Sequence, residues 1–278
     1  MKIVPMQGGC GAEVQGADLN TLTEADVAAI RAAQGEHGVV FFHDQDMTPA
    51  QQLKVARRFG DVNVNRFFTP VPEQPEVALV LKEPRHETNI GGGWHTDHSY
   101  DAIPALGSML HAKEVPANGG DTLFASMYLA AEALSDGLRE TLMGMSAVHS
   151  SRHVFGSEGF YSRMEDDRYH NPELATQDAV HPVIVRHPVS GRAALYVNPG
   201  FTIRFDGWTV EESRPLLAYL YELGAREEHT CRFHWREGSV AFWDNRATWH
   251  HALNDYPGER RLMHRVTIEG EPLPAYAA

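Results

Sequence analysis

Hydrophobic positions in the first third of the chain recur at helical spacing between polar stops. In "TLTEADVAAIRAAQGEHG" alanine, valine and isoleucine return every three or four residues, and Thr23 with Asp26 forms a capping box ahead of them. "MTPAQQLKVARRFG" repeats the logic, with Thr48 as N-cap, Pro49 at the first helical position, Gln51 three after the cap and Gly60 as the stop. Between them "GVVFFHD", Gly38 to Asp44, is β-branched and aromatic, which predicts a buried strand. From residue 77 the pattern shortens to that of strands: "VALVLK", "GSMLHAKEV", "DTLFAS", "HPVIVRHP", "AALYV", "CRFHWREGSVAFWD" and "RLMHRVTIEG". Two helices interrupt them, one after Ser126 ("MYLAAEALSDGLRETLMG") and one after Thr209, which makes a third capping box with Glu212. Many strands with a few flanking helices predict a mainly β, α+β fold: a sandwich or barrel decorated with helices. No repeat, low-complexity run or linker divides the chain, so residues 1–278 are expected to form a single domain. The polar, weakly periodic stretch around 153–180 is the expected active-site lid.

Composition narrows the partners. The 278 residues are 42% hydrophobic, enough for a sizeable core. With 24 basic against 37 acidic residues the net charge is −13, which sets nucleic acid and anionic membranes aside as partners. No stretch approaches the roughly 20 apolar residues of a membrane span. An anionic small-molecule substrate would need a local cluster of arginines. Cys10 and Cys231 are far apart and in no metal-like spacing, which suits a reducing cytoplasm and leaves a single disulfide open. The opening "MKIVPMQGGCGAEV" does not read as a signal peptide, so a cytoplasmic location is expected. A homo-oligomer is compatible with this composition. Sixteen histidines hint at metal chemistry.

The candidate chemistry starts at "GGGWHTDHSY". If the segment is extended, His95 and Asp97 share one face and His98 takes the other. One imidazole and one carboxylate hold one side of a metal; a third ligand must come from elsewhere. Two histidines and a carboxylate make the facial triad of non-haem Fe(II) oxygenases, which keeps three positions open. A bare His-x-Asp is equally a satisfied polar turn. The distant segment "FWDNRATWHHALNDYPGERRLMHRVTIEG" offers His250 and His251, then Arg260, Arg261 and Arg265. As a strand, "RLMHRVTI" puts Arg261, Met263 and Arg265 on one face and Arg260 and His264 on the other. Inward arginines are costly unless they meet anions, and Arg grips carboxylates in a bidentate way. The bland reading is rim arginines in salt bridges. His251 and His264 read as packing residues, and Asp244 with Arg246 as a structural turn with internal ion pairs.

Taken together, "WHTD", "GGDTLFAS", "HPVSGRAALYVNPGF", "FWDNRATWHH" and "RRLMHRVTI" resemble the taurine dioxygenase family of Fe(II)- and 2-oxoglutarate-dependent dioxygenases, which includes 2,4-dichlorophenoxyacetate dioxygenases. The resemblance runs from about Gly38 to the end, in the right order and spacing. It implies a double-stranded β-helix, or jelly roll. It implies His95, Asp97 and His250 as iron ligands, choosing His250 over His251. Arg261, helped by the Thr122 hydroxyl, matches the pair on the distal carboxylate of 2-oxoglutarate. Arg265 is assigned both to that cofactor cluster and to the acidic group of the primary substrate. Phe155 and Phe201 match aromatic substrate positions, and Tyr100, His98 and Asn65 join them as candidate substrate-binding residues. Fe(II), 2-oxoglutarate and O2 are the implied cofactors, with succinate and CO2 as co-products. Asp97 argues for hydroxylation, because related halogenases lack this carboxylate. Taurine-specific relatives carry a His where this chain has Asn65 and an Asn where it has Gly91, which argues against taurine and leaves a carboxylate, sulfonate or sulfate ester. A zinc-dependent hydrolase on the same three residues and a non-catalytic jelly-roll binding protein are the alternative readings.

Overall fold

Alternation within single strands divides the apolar residues between separate cores. The structure is a computed structural model that describes residues 1–163 and 168–276. In the strand Val39–Phe42, Val39 and Phe41 enter one core, and Val40 and Phe42 another. Successive side chains of a strand face opposite ways, so a strand with no polar position belongs in the middle of a sheet covered on both faces. Met109 and Leu110 split in the same way, as do Phe242 and Trp243.

These strands belong to a nine-stranded sheet. Its centre runs Val39–Phe42, Val240–Asp244, Gly107–Glu114, Arg261–Ile268, Gln74–Lys82, each antiparallel to the next. Helices Glu24–His37 and Pro49–Ala56 cover the outer face with Val27, Ile30, Leu53 and Val55. Both start at the capping boxes legible in the sequence, Thr23 with Asp26 and Thr48 with Gln51. The second ends at Ala56, a turn before Gly60. The inner face meets a three-stranded sheet in the order Thr230–Phe233, Thr122–Ser126, Thr248–Ala252. There Phe124, Cys231 and Phe233 pack with Phe41, Leu110, Trp243 and Met263. The fold is a double-stranded β-helix, as the resemblance implied.

The helix expected after Ser126 is two helices, Met127–Glu132 and Asp136–Met143. Ser135 stands between them in extended backbone as the second N-cap, a conformation serine favours over helix interiors. Helix Val210–Gly224 starts at the Thr209–Glu212 capping box and buries Leu217, Leu220 and Leu223 in a further core. The strands Lys2–Pro5, Ala12–Gln15, Ser146–Ser150 and Thr202–Phe205 were not expected, being short and of mixed polarity. The segment 153–180 carries parts of the short helices Arg152–Phe155 and Phe160–Arg163; residues 164–167 of the expected lid lie outside the described residues. Asp244 and Arg246 do form a buried structural turn. Arg246 donates from Nε and Nη2 to the Asp244 carboxylate at 2.8 and 2.6 Å, and His187 Nε2 lies 3.0 Å from it. Among the described residues no helix is long and apolar enough to cross a membrane.

Candidate active site

One isolated bridge between distant residues assembles the site. His95 N–H donates to the His250 carbonyl at 3.1 Å, and His250 N–H donates back at 2.8 Å. This exchange brings the two imidazoles to a centroid separation of 4.0 Å. His95 Nε2 lies 3.8 Å from Asp97 Oδ1 and His250 Nε2 3.9 Å from Asp97 Oδ2. Those spacings are too long for hydrogen bonds, and candidate ligand atoms of the three residues all fall within 4.8 Å of one another. The three groups converge without satisfying each other. His95 Nδ1 lies 2.7 Å from the Gly93 carbonyl, which fixes that nitrogen as the N–H and leaves Nε2 as a lone pair. Burial pushes both imidazoles toward the neutral form. At Asp97 burial acts the other way, but the opposing charge, Arg265 foremost, outweighs it and the carboxyl is held well below the usual range. Two neutral imidazoles and one carboxylate suit a divalent ion that keeps open positions.

Glycines make room for His95. A Cβ on Gly200 would sit 2.7 Å from His95 Cβ, and one on Gly91 3.2 Å from His95 Cε1, with Gly91 at φ +77°. Of the three glycines before Trp94, Gly93 has open space around it, while Gly92 closes on the Asn89 side chain.

Strand parity holds at one ligand and fails at the others. In the strand Thr248–Ala252, His250 faces the cavity while His251 meets the Trp94 ring instead. The 97–100 segment is a turn and not a strand. His98 takes a left-handed φ of 59°, so its ring lines the same cavity as His95 and Asp97 instead of facing away. Its Nδ1 lies 2.8 Å from Asp101 Oδ2, and Arg66 donates to Asp101 Oδ1 at 2.7 Å.

The last strand delivers the arginines as its alternation requires. Arg261 and Arg265 line the cavity, Met263 enters the core, and Arg260 pairs with Glu83 and Glu114 outside. Arg261 is 4% exposed, yet among the described residues no carboxylate pairs with it and its Nε and Nη2 have no partner. Burial lowers its pKa. The Trp235 ring lies 5.6 Å from its guanidinium, and Trp235 Nε1 donates to the Thr122 hydroxyl at 3.0 Å. Thr122 lines the cavity beside it. Arg265 differs: its Nη1 lies 3.4 Å from Asp97 Oδ1 and it sits over the Phe68 ring at 4.5 Å.

The cavity has a volume of about 410 Å³. Tyr100, Phe155 and Phe201 line it as expected, joined by Phe68, Tyr161 and Tyr169. Asn65 is a correction. It is not among the lining residues, because its Oδ1 accepts from the backbone N–H groups of Phe67 and Phe68 at 2.9 and 3.1 Å. Asn65 therefore shapes the turn that presents Phe68. Sequence reasoning also missed Ser108, whose hydroxyl donates to Asp97 Oδ2 at 3.0 Å, and Trp235. Alternation places Ser108 on no recognisable motif; only the aromatic pair in "RFFTP" signalled Phe68.

A jelly roll that buries two imidazoles, one carboxylate and an arginine without a carboxylate partner among the described residues in one cavity has the features of the Fe(II)- and 2-oxoglutarate-dependent dioxygenases. Known proteins agree with that assignment. The family described as "Taurine catabolism dioxygenase TauD, TfdA family" matches residues 2–267, and the chain belongs to it. It is 33% identical to an alpha-ketoglutarate-dependent sulfate ester dioxygenase of Pseudomonas putida, over 98% of this chain and 90% of that protein. It is 28% identical to the (S)-phenoxypropionate/alpha-ketoglutarate-dioxygenase of Sphingobium herbicidovorans, over 97% and 95%. The crystal structure of a taurine dioxygenase from Burkholderia xenovorans superposes with a TM-score of 0.81 at 34% identity, covering 97% of this chain and 89% of that one. The protein is thus an enzyme of the Fe(II)/2-oxoglutarate dioxygenase type, with Fe(II), 2-oxoglutarate and O2 as its cofactors.

Proposed function

We propose that His95, Asp97 and His250 hold the Fe(II), that Arg261 and Thr122 take the distal carboxylate of 2-oxoglutarate, and that the cavity oxidises a small organic anion with an apolar or aromatic body. The observation that carries this reading is Arg261, a buried cation with no carboxylate partner among the described residues, in the same cavity as three converging groups that do not bond one another. An unpaired buried charge is costly, and a dicarboxylate co-substrate supplies the missing partner. The zinc-hydrolase reading leaves Arg261 without a role.

The donor set fits the metal. The Gly93 carbonyl fixes the His95 tautomer, while Ser108 and Arg265 orient Asp97. Bound there, Fe(II) supplies oxidation of an unactivated C–H bond by O2, with 2-oxoglutarate converted to succinate and CO2. The chain's own residues bind and position. Thr122 accepts from Trp235 and keeps its own hydroxyl proton to donate to a carboxylate oxygen. Arg265 bridges Asp97 and the cavity, and is the cation for the substrate's acidic group. Phe68, Tyr100, Phe155, Tyr161, Tyr169 and Phe201 form a wall that excludes water and fits an apolar body. The described parts of 153–180, which carry Phe155, Tyr161 and Tyr169 to that wall, act as the lid, and the chain acts as a single domain.

A sulfate ester and a phenoxypropionate, the substrates in the relatives' names, are both anions on an organic body. Taurine fits less well: the Asn65 carbonyl oxygen is committed to backbone, and Gly91 carries no side chain in a conformation that disfavours one. Two experiments test the reading. Anaerobic addition of 2-oxoglutarate to the Fe(II)-loaded protein should give the visible charge-transfer band of the chelate; no band would sink the assignment. Substrate-dependent succinate release, screened over alkyl sulfates, sulfonates and aryloxy-carboxylates, should be highest for an anion with an apolar body and low for taurine.

A further inference from the structure

The only two cysteines of the chain meet, and the fold takes trouble to bring them together. Cys10 Sγ lies 3.3 Å from Cys231 Sγ, across 221 positions of sequence, and both residues are buried. Cys10 sits in "GGCG", and three glycines around it are needed for the close approach. A Cβ on Gly9 would fall 2.2 Å from the His229 carbonyl carbon, one on Gly8 2.7 Å from the Thr230 oxygen, and one on Gly11 3.2 Å from Cys231 Sγ itself. The Gly9 N–H donates to the Thr230 carbonyl at 3.0 Å, which locks the loop beside Cys231. Cys10 also borders a second cavity of about 300 Å³, lined in part by Met6, Glu36, Ser126 and Arg192.

We propose that Cys10 and Cys231 are an oxidation site that closes to an internal disulfide under hydrogen peroxide, stapling the N-terminal loop to the strand Thr230–Phe233. The sulfurs need to approach by only roughly 1.3 Å to reach bonding distance. Cys10 lines the second cavity, which is wide enough to hold a molecule the size of peroxide. One sulfur gives an electron pair to a peroxide oxygen: the S–O bond forms, the O–O bond breaks, and the departing oxygen leaves as water with the thiol proton. The second sulfur then displaces the new hydroxyl, which leaves as water with the second thiol proton. Two thiols lose two electrons and one peroxide becomes two waters. The Cys10 thiol is held well above its ordinary range, first by its hydrogen bond to Cys231 and then by burial, so it rests as the protonated thiol.

The staple has a defined place in the fold. Cys231 stands opposite Phe124, and Phe124 stands opposite His250 on the next strand. The cross-link therefore lies in the same row as a candidate iron ligand, two strands away, and closes a very long loop of the unfolded chain.

The test uses the full-length protein in EDTA, so that iron does not divert the peroxide. After exposure the protein is denatured, treated with a maleimide and weighed. The expected result is a mass about 2 Da lower with no alkylation, a proteolytic fragment joining Cys10 to Cys231, reversal by dithiothreitol, and a Tm raised by about 5–10 °C. Cys10→Ser should take up one maleimide and show no rise in Tm. Two alkylated thiols after peroxide, a gain of about 32 Da on one sulfur, or a disulfide only between separate chains would each overturn the proposal. The wild-type mass alone decides the matter if the variant fails to fold.

Discussion

Replacing Arg261 with methionine removes the cation while keeping an unbranched side chain of similar length. Arg261 is 4% exposed, with Nε and Nη2 unpartnered. In the proposed complex it meets a carboxylate, and deleting one member of a buried ion pair costs about 3–5 kcal/mol because the other charge stays buried alone. At 1.4 kcal/mol per tenfold, the Kd for 2-oxoglutarate should rise by roughly 100- to 4,000-fold. Anaerobic titration of the Fe(II)-loaded protein, followed by the charge-transfer band, measures this directly. Pyruvate provides the internal control. It offers the same 2-oxoacid chelate without the distal carboxylate, so its weaker affinity should be nearly the same in both proteins. Stability should move the opposite way, because the ligand-free wild type buries a guanidinium that no carboxylate among the described residues pairs with, and the variant does not. A 2-oxoglutarate Kd within about threefold of wild type, or an equal loss for pyruvate, would refute the assignment.

Other expectations follow from the same geometry. Asp244→Asn leaves Arg246 and His187 facing a neutral amide in a site where Asp244 is 0% exposed; it should cost about 3–5 kcal/mol and lower Tm by on the order of 10 °C, read by calorimetry. Gly200→Ala places a methyl 2.7 Å from His95 Cβ and should weaken iron retention after dialysis by at least about tenfold, a loss of roughly 1.4 kcal/mol; undiminished iron content would show that His95 is free to move. Acid stability has a definite sign. Burial, then the charge of Lys113, lowers the pKa of His111 and of His264 to about 4. The unfolded chain, with ordinary histidines, takes up protons first as pH falls. The stabilisation is therefore complete above about pH 6.5 and is lost between there and about pH 4, with up to ~3 kcal/mol at stake per histidine. Tm measured across that window should fall, and His111→Asn should flatten the slope.

The helices were legible because capping is written in neighbouring residues: Thr23 with Asp26, Thr48 with Gln51 and Thr209 with Glu212 all cap as read. The long central strands were legible because they are buried on both faces. The proposed ligand set came from the resemblance more than from parity. Parity grouped His95 with Asp97 by assuming a strand, whereas a single bridge and a turn at His98 bring them together. Arg261 and Arg265 were paired for the right reason, since the last strand keeps its alternation across both. The wall of the cavity was the least legible part. Phe68, Tyr161 and Tyr169 come from irregular segments whose neighbours are set by tertiary packing, and Asn65 looked like a contact residue when its work is to hold a turn.

The bridge between His95 and His250 also sets a schedule. A ribosome delivers residue 95 early and residue 250 near the end, so the nascent chain has an imidazole and a carboxylate to offer iron but no third ligand. Under the proposed ligand set, only when the strand Thr248–Ala252 emerges and its His250 exchanges two hydrogen bonds with His95 does the site close. A site built this way is complete only once nearly the whole β-helix has been made.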